Sequence, residues 1–147
     1  MISIKFVKLR EGAQVPFRGS EYSAGYDLYA CTGKESVVIY PHTTVKIGTG
    51  LAIQPPHGYF GAIFARSGLA TNLGLRPANC VGVLDEDYTG EYIVSLYNDS
   101  DEIRFVSDGD RIAQLVFLPY INVEFNEVDN LEKTERGSGG FGSTDIK

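Results

Sequence analysis

Apolar residues in this chain come in short runs rich in β-branched and aromatic side chains, and almost none repeats at the 3.6-residue period of a helix. Ile2, Ile4 and Phe6 alternate, and similar runs follow at 37–40, 44–47, 51–53, 59–64, 92–97, 103–106, 112–118 and 121–125. Turn chemistry separates them, as in Pro55-Pro56-His57-Gly58, Asn98-Asp99-Ser100-Asp101 and Ser107-Asp108-Gly109-Asp110. A segment this short cannot bury its apolar face alone and must pair with others. About ten such segments predict an antiparallel sandwich, barrel or jelly roll. One short helix is expected after Ser67, with Ser67 capping a turn or two through Leu69 and Leu73.

A chain of 147 residues fits one domain. No apolar run approaches the length of a membrane span, and Met1-Ile2-Ser3-Ile4-Lys5-Phe6 alternates like a strand rather than a secretory leader. The expected partners therefore include no membrane, and the expected location is cytoplasmic, or nuclear in a eukaryotic or viral setting. Cys31 and Cys80 form no metal spacing and read as two small buried thiols in a reducing compartment. A net charge of −6 without a local basic patch argues against nucleic acid. The composition changes near Asp129, which suggests a β-barrel domain over 1–130, then a polar connector and glycine-rich tail over 131–147. That tail, from Arg136 through Phe141 and Gly142 to Ser143 and Thr144, places four glycines in nine residues beside a guanidinium, hydroxyls and one aromatic ring. Such a stretch is costly to order, but its exposed N–H groups suit a phosphate chain. It lacks the Gly-Lys-Ser/Thr and following helix of a Walker A loop.

Catalytic options are few. His42 and His57 both sit in proline-flanked turns, with no pattern that points to a covalent nucleophile or a zinc site. Carboxylates, arginines and glycines remain, the residue types of phosphoryl chemistry with water. Gly82-Val83-Leu84-Asp85-Glu86-Asp87-Tyr88-Thr89-Gly90 runs an apolar strand into three acids and an aromatic. Asp85, at the junction, is expected to be partly desolvated and so basic enough to take a proton from water. An ordinary acidic hairpin turn explains the same residues. Arg66, Ser67 and Gly68 put a guanidinium, a hydroxyl and a bare amide at the start of the expected helix, where phosphate is favoured. Asp27 lies inside an apolar strand and needs a partner if buried. Gln114, three residues after Arg111, likewise interrupts an apolar strand.

Taken in this order, from Ser23 to Thr144, these segments resemble the motifs of the trimeric deoxyuridine triphosphatase family. The resemblance implies an all-β jelly-roll or β-clip-like antiparallel barrel with one short helix and a mobile glycine-rich C-terminal tail. It implies hydrolysis of dUTP to dUMP and pyrophosphate with Mg2+, limiting uracil in DNA and supplying dUMP for thymidylate synthesis. Asp85 matches the water-activating aspartate and Tyr88 the tyrosine that packs on deoxyribose. Asn79 and the backbone of Val83, Leu84 and Ile93 match the uracil contacts, and Arg66, Ser67, Gly68 and Gln114 the phosphate binders. Asp27 and Arg111 match residues that organise the phosphate pocket, Asp27 reaching the metal through water. Arg136, Phe141, Gly142, Ser143 and Thr144 match a tail that closes over the nucleotide, its aromatic ring stacking on uracil. The family assembles as a homotrimer with shared active sites. Ala65 stands where the family usually carries proline, and Asp145 follows Thr144 where it usually carries glycine. A related dCTP deaminase, a non-catalytic dUTP-binding regulator and a structural jelly roll are the alternatives. The first two use the same fold or ligand, and the last does not account for five ordered motifs.

Overall fold

The structure, a computed structural model, describes residues 2–140. Among the described residues eleven strands form: β1 Lys5–Lys8, β2 Tyr26–Tyr29, β3 Val37–Ile39, β4 Thr44–Gly48, β5 Leu51–Gln54, β6 Tyr59–Phe64, β7 Leu75–Pro77, β8 Gly82–Leu84, β9 Ile93–Asn98, β10 Arg104–Val106 and β11 Arg111–Pro119. A four-stranded sheet runs β2-β11-β6-β8 and a three-stranded sheet β4-β9-β7, with β1-β5 and β3-β10 as two-stranded ribbons. Every pairing is antiparallel. The fold is the all-β jelly roll that the short runs call for.

Strand alternation supplies the core. Leu28, Ile39, Ile47, Leu51, Leu96, Ile112 and Leu115 are each at most 1% exposed. Each such side chain is worth about 1.5–3 kcal/mol relative to exposure. Gly50 turns β4 into β5 at a φ of 68°, and a Cβ there would overlap the side chain of Ala13, so glycine is required twice over.

Two details of β11 prepare the site. Its register against β2 shifts between Arg111 and Ala113, so that Ile112 and Ala113 are both buried and Gln114 then stands opposite Asp27. Such a bulge re-aims side chains beside it. On its other edge Gln114 stands opposite Phe64, the last residue of β6.

Three expectations change. The helix is a five-residue π-helical turn, Leu69–Leu73. Gly68, already helical, occupies its N-cap without any side-chain cap, so Ser67 does not cap it; Gly74, at a φ of 67°, closes the other end. No strand forms at 121–125. The last tie of that end to the barrel is the Tyr120 N–H donating to the Gly58 carbonyl at 3.0 Å, and Ile121, Val123 and Phe125 are 83%, 62% and 95% exposed. Among the described residues that segment finds no strand partner. Cys31 is buried, but Cys80, in the loop between β7 and β8, is exposed. Leu75–Pro77, outside the expected runs, pairs as β7 at the sheet edge, where the missing proline N–H costs no ladder bond. Among the described residues no helix is long and apolar enough to cross a membrane.

Candidate functional site

One cluster gathers where β2, β6 and β11 meet. The Asp27 carboxylate, 15% exposed, accepts from Arg66 Nε at 2.7 Å and from Arg111 Nη1 at 3.3 Å. The acid inside the apolar strand thus has two arginine partners, and the cluster carries one net positive charge. Asp27 holds Arg66 through Nε, which leaves the terminal nitrogens of that fork for another acceptor. Gln114 donates from Nε2 to the Ala65 carbonyl at 2.8 Å, which ties the segment before Ser67 to β11. Ser67 and Gly68 are exposed just before the π-helical turn. Sequence reasoning passed over Gly25. A Cβ there would overlap the amide of Gln114, so this glycine makes the space in which Gln114 lies. The only signal was a glycine directly before an apolar strand.

A second cluster is the hairpin that leaves β8. Leu84 is buried at 9% exposure, while Val83 on the opposite face is 61% exposed. Asp85 follows as an exposed residue. Its own chain therefore does not supply the desolvation expected of it, because the strand ends one residue too early to cover it. The Tyr88 N–H donates to the Asp85 carbonyl at 3.1 Å and closes the turn. The Tyr88 hydroxyl donates to the Glu91 carbonyl at 2.9 Å, and its ring stacks on Tyr92 at a centroid distance of 6.5 Å. A side chain at Gly90 would strike the Tyr88 ring, a second constraint that the sequence did not announce. Ile93 and Asn79 are exposed beside the hairpin. An open pocket of about 610 Å³ is lined by Phe60, Val83, Asp85, Glu86, Asp87 and Tyr120.

The clusters do not meet on one chain. Leu84 stands opposite Gly61 and Gly82 opposite Ile63, so Asp85 falls level with Phe60, near the start of β6. Arg66 and Gln114 lie at its other end. Phe60 to Phe64 spans roughly 13 Å of strand, and β8 and β2 lie three strands apart, about 14 Å, which sets Asp85 and Asp27 roughly 20 Å apart. Arg136 is exposed and donates from Nε to the Gly139 carbonyl at 3.0 Å. Phe141, Gly142, Ser143 and Thr144 lie outside the described residues.

The strand order and the buried core define an all-β jelly-roll protein, and comparisons with known proteins give its family. A family model described as dUTPase matches residues 11–145. A deoxyuridine 5′-triphosphate nucleotidohydrolase of Desulfitobacterium hafniense is 48% identical over 146 residues, covering 99% of this chain and 96% of the relative. A Staphylococcus bacteriophage 80alpha dUTPase bound to dUPNHPP superposes with a TM-score of 0.85 at 28% identity, over 99% of this chain and 100% of that one. A mutant dUTPase from phage phi11 of S. aureus, which coordinates a structural Mg(II) ion, superposes at 0.78 with 27% identity, over 90% of this chain and 100% of that one. This chain belongs to the dUTPase family.

Proposed function

We propose that the chain hydrolyses dUTP to dUMP and pyrophosphate, with Asp85 as the base that activates water. The observation that carries this reading is the presence, on a dUTPase-family fold, of an arginine-rich anion cluster and a separate acid–aromatic hairpin. Asp85 takes a proton from water, the resulting hydroxide attacks the α-phosphorus, and the bond from that phosphorus to the bridging oxygen breaks. Pyrophosphate leaves with the bonding pair, its charge stabilised by Arg66 and Gln114 and by Arg111. Tyr88 packs on the deoxyribose and leaves no room for a 2′-hydroxyl. Asn79 and the backbone of Val83, Leu84 and Ile93 read the uracil edge.

Both oxygens of Asp27 are engaged by arginines, and the described residues hold no group of three or more His, Cys, Asp or Glu that could bind a metal ion. A hard cation with oxygen ligands fits here as one carried on the triphosphate, with Asp27 reaching its water shell. Magnesium so bound neutralises charge on the phosphate oxygens.

The separation of the clusters along β6 supports a shared site. Asp85 and Arg66 serve phosphates a few ångströms apart, so they come from different copies of the chain in a homotrimer. Two exposed features suit that assembly. Residues 121–125 alternate apolar side chains into solvent, and an apolar groove of about 490 Å³, lined in part by Ile4, Tyr26, Ile53 and Phe117, is open on the barrel. We assign the groove to the 121–125 segment of another copy. Exposed Asp85 then gains its cover from a neighbour and from the tail, where Arg136, Gly142, Ser143 and Thr144 meet the phosphates and Phe141 covers uracil. The reaction keeps uracil out of DNA and supplies dUMP, in the cytoplasm or the nucleus, and cell fractionation reads that location directly.

The test is to incubate the protein with magnesium and each deoxynucleoside triphosphate, with UTP alongside, and to identify products. dUMP and pyrophosphate from dUTP alone are expected. Asp85→Asn should lower kcat by about 10²–10⁴-fold while dUTP still binds. Near-normal turnover in this variant would remove Asp85 from the mechanism.

A further inference from the structure

The Asp85 side chain makes no hydrogen bond among the described residues; only the backbone of its loop fixes its place. The next residue is held differently. Glu86 Oε2 accepts the Gly58 N–H at 2.7 Å, and Oε1 lies 3.0 Å from His57 Nδ1. The Tyr120 hydroxyl lies near the same carboxylate and helps to hold its pKa down. The Gly58 carbonyl in turn accepts the Tyr120 N–H at 3.0 Å. The carboxylate therefore ties the loop after β8 to the turn between β5 and β6, and the Gly58 carbonyl carries the link on to the end of β11, where the C-terminal segment leaves the barrel. Gly58 can serve both partners because its φ of 79° presents its N–H and carbonyl in a turn few other residues adopt. Glu86, His57 and Tyr120 are not among the residues assigned to the reaction.

We propose that Glu86 is a positioning residue for dUTP hydrolysis, clamping the loop so that the unanchored carboxylate of Asp85 is held at one place on the pocket lip. A base that must reach one water gains little from correct chemistry if its backbone drifts, since a displacement near 1 Å can cost on the order of 10²-fold. The clamp also keeps one of three consecutive acids turned onto donors rather than toward an incoming triphosphate. This inference rests on the reading of Asp85 as the base, and the test separates the two.

The experiment compares wild type, Glu86→Ala, Glu86→Gln, Asp85→Asn and the Asp85→Asn/Glu86→Ala double variant as full chains, with thermal melting and native mass measured for each. Glu86→Ala should lower kcat by about 10- to 100-fold. KM for dUTP should move less than about threefold, because the clamp touches no nucleotide. Glu86→Gln keeps one acceptor oxygen and should recover part of the rate. On the Asp85→Asn background, removing Glu86 should cost nothing further, since there is no base left to position. If Glu86→Ala does not fold, Glu86→Gln and His57→Ala decide by the same criteria. Wild-type kcat in the folded Glu86 variants, or an equal loss on the Asp85→Asn background, overturns the positioning role while leaving Asp85 as base. Near-normal turnover in Asp85→Asn overturns both.

Discussion

At the scale of single residues, the chain separates groups whose partners are local from groups whose partners are remote. Tyr92 is the largest fully buried side chain, and among the described residues its hydroxyl has no hydrogen-bond partner. Burial also pushes that hydroxyl well above the usual tyrosine range, so it stays protonated at any working pH. An unpaired buried hydroxyl costs about 1–3 kcal/mol of desolvation, while its ring contributes packing against Tyr88. Tyr92→Phe keeps the ring and removes the liability. Denaturant unfolding should therefore show unchanged or higher stability, by up to about 1 kcal/mol, and a loss of that size would reveal a hidden partner. Asp27 was legible as an acid that needed company, because a charge inside an apolar strand is costly whatever surrounds it. Gly25 was not legible. Its reason is the amide of Gln114, far along the chain, and only the pairing of β2 with β11 brings the two together.

At the scale of elements, the same division decides which strands the sequence announced. β6, β9 and β11 are long, apolar and bounded by turns, so their identity follows from the residues alone. β7 depends on being an edge, and 121–125 lacks a strand because pairing needs a partner as well as a pattern. The loop after β8 adds a contribution that depends on pH. The Gly58 N–H, then the His57 ring and the Tyr120 hydroxyl, hold the Glu86 carboxyl below its ordinary value of 4.5. A depressed carboxylate pKa stabilises the folded state above its unfolded value, and that contribution is lost as pH falls through the folded value. The stability difference between wild type and Glu86→Gln should thus be flat from neutral pH down to about 4.5 and shrink below it. Thermal melts of both proteins across that range check the sign. A difference that changes between pH 8 and 6 would mean that a group other than the carboxylate governs the clamp.

At the scale of the whole molecule, the layout of β6 constrains how a reaction can occur at all. Asp85 lies level with Phe60 near one end of that strand, and the Asp27–Arg66–Arg111 cluster lies at the other end and across the sheet, with Asp27 roughly 20 Å from Asp85. A triphosphate cannot place its α-phosphorus beside the base and its outer phosphates on the arginines of the same chain. Copies related by a rotation can bring unlike ends together, and a closed ring does so for every copy at once. Complementation then has a definite arithmetic. On the proposed mechanism Asp85→Asn lacks the base and Arg66→Ala lacks a phosphate ligand, so each alone should be nearly inactive. In randomly mixed trimers, a site is whole when its Asp85 comes from the Arg66→Ala chain and its Arg66 from the Asp85→Asn chain. Equal mixing makes both choices correct in about one site in four, so unfolding and refolding the two variants together should restore about a quarter of wild-type turnover. Mixing without exchange of subunits should restore none. Failure of the co-refolded trimers to recover activity, with exchange shown by native mass, would place both clusters of a working site on one chain and require the hairpin to move across the length of β6.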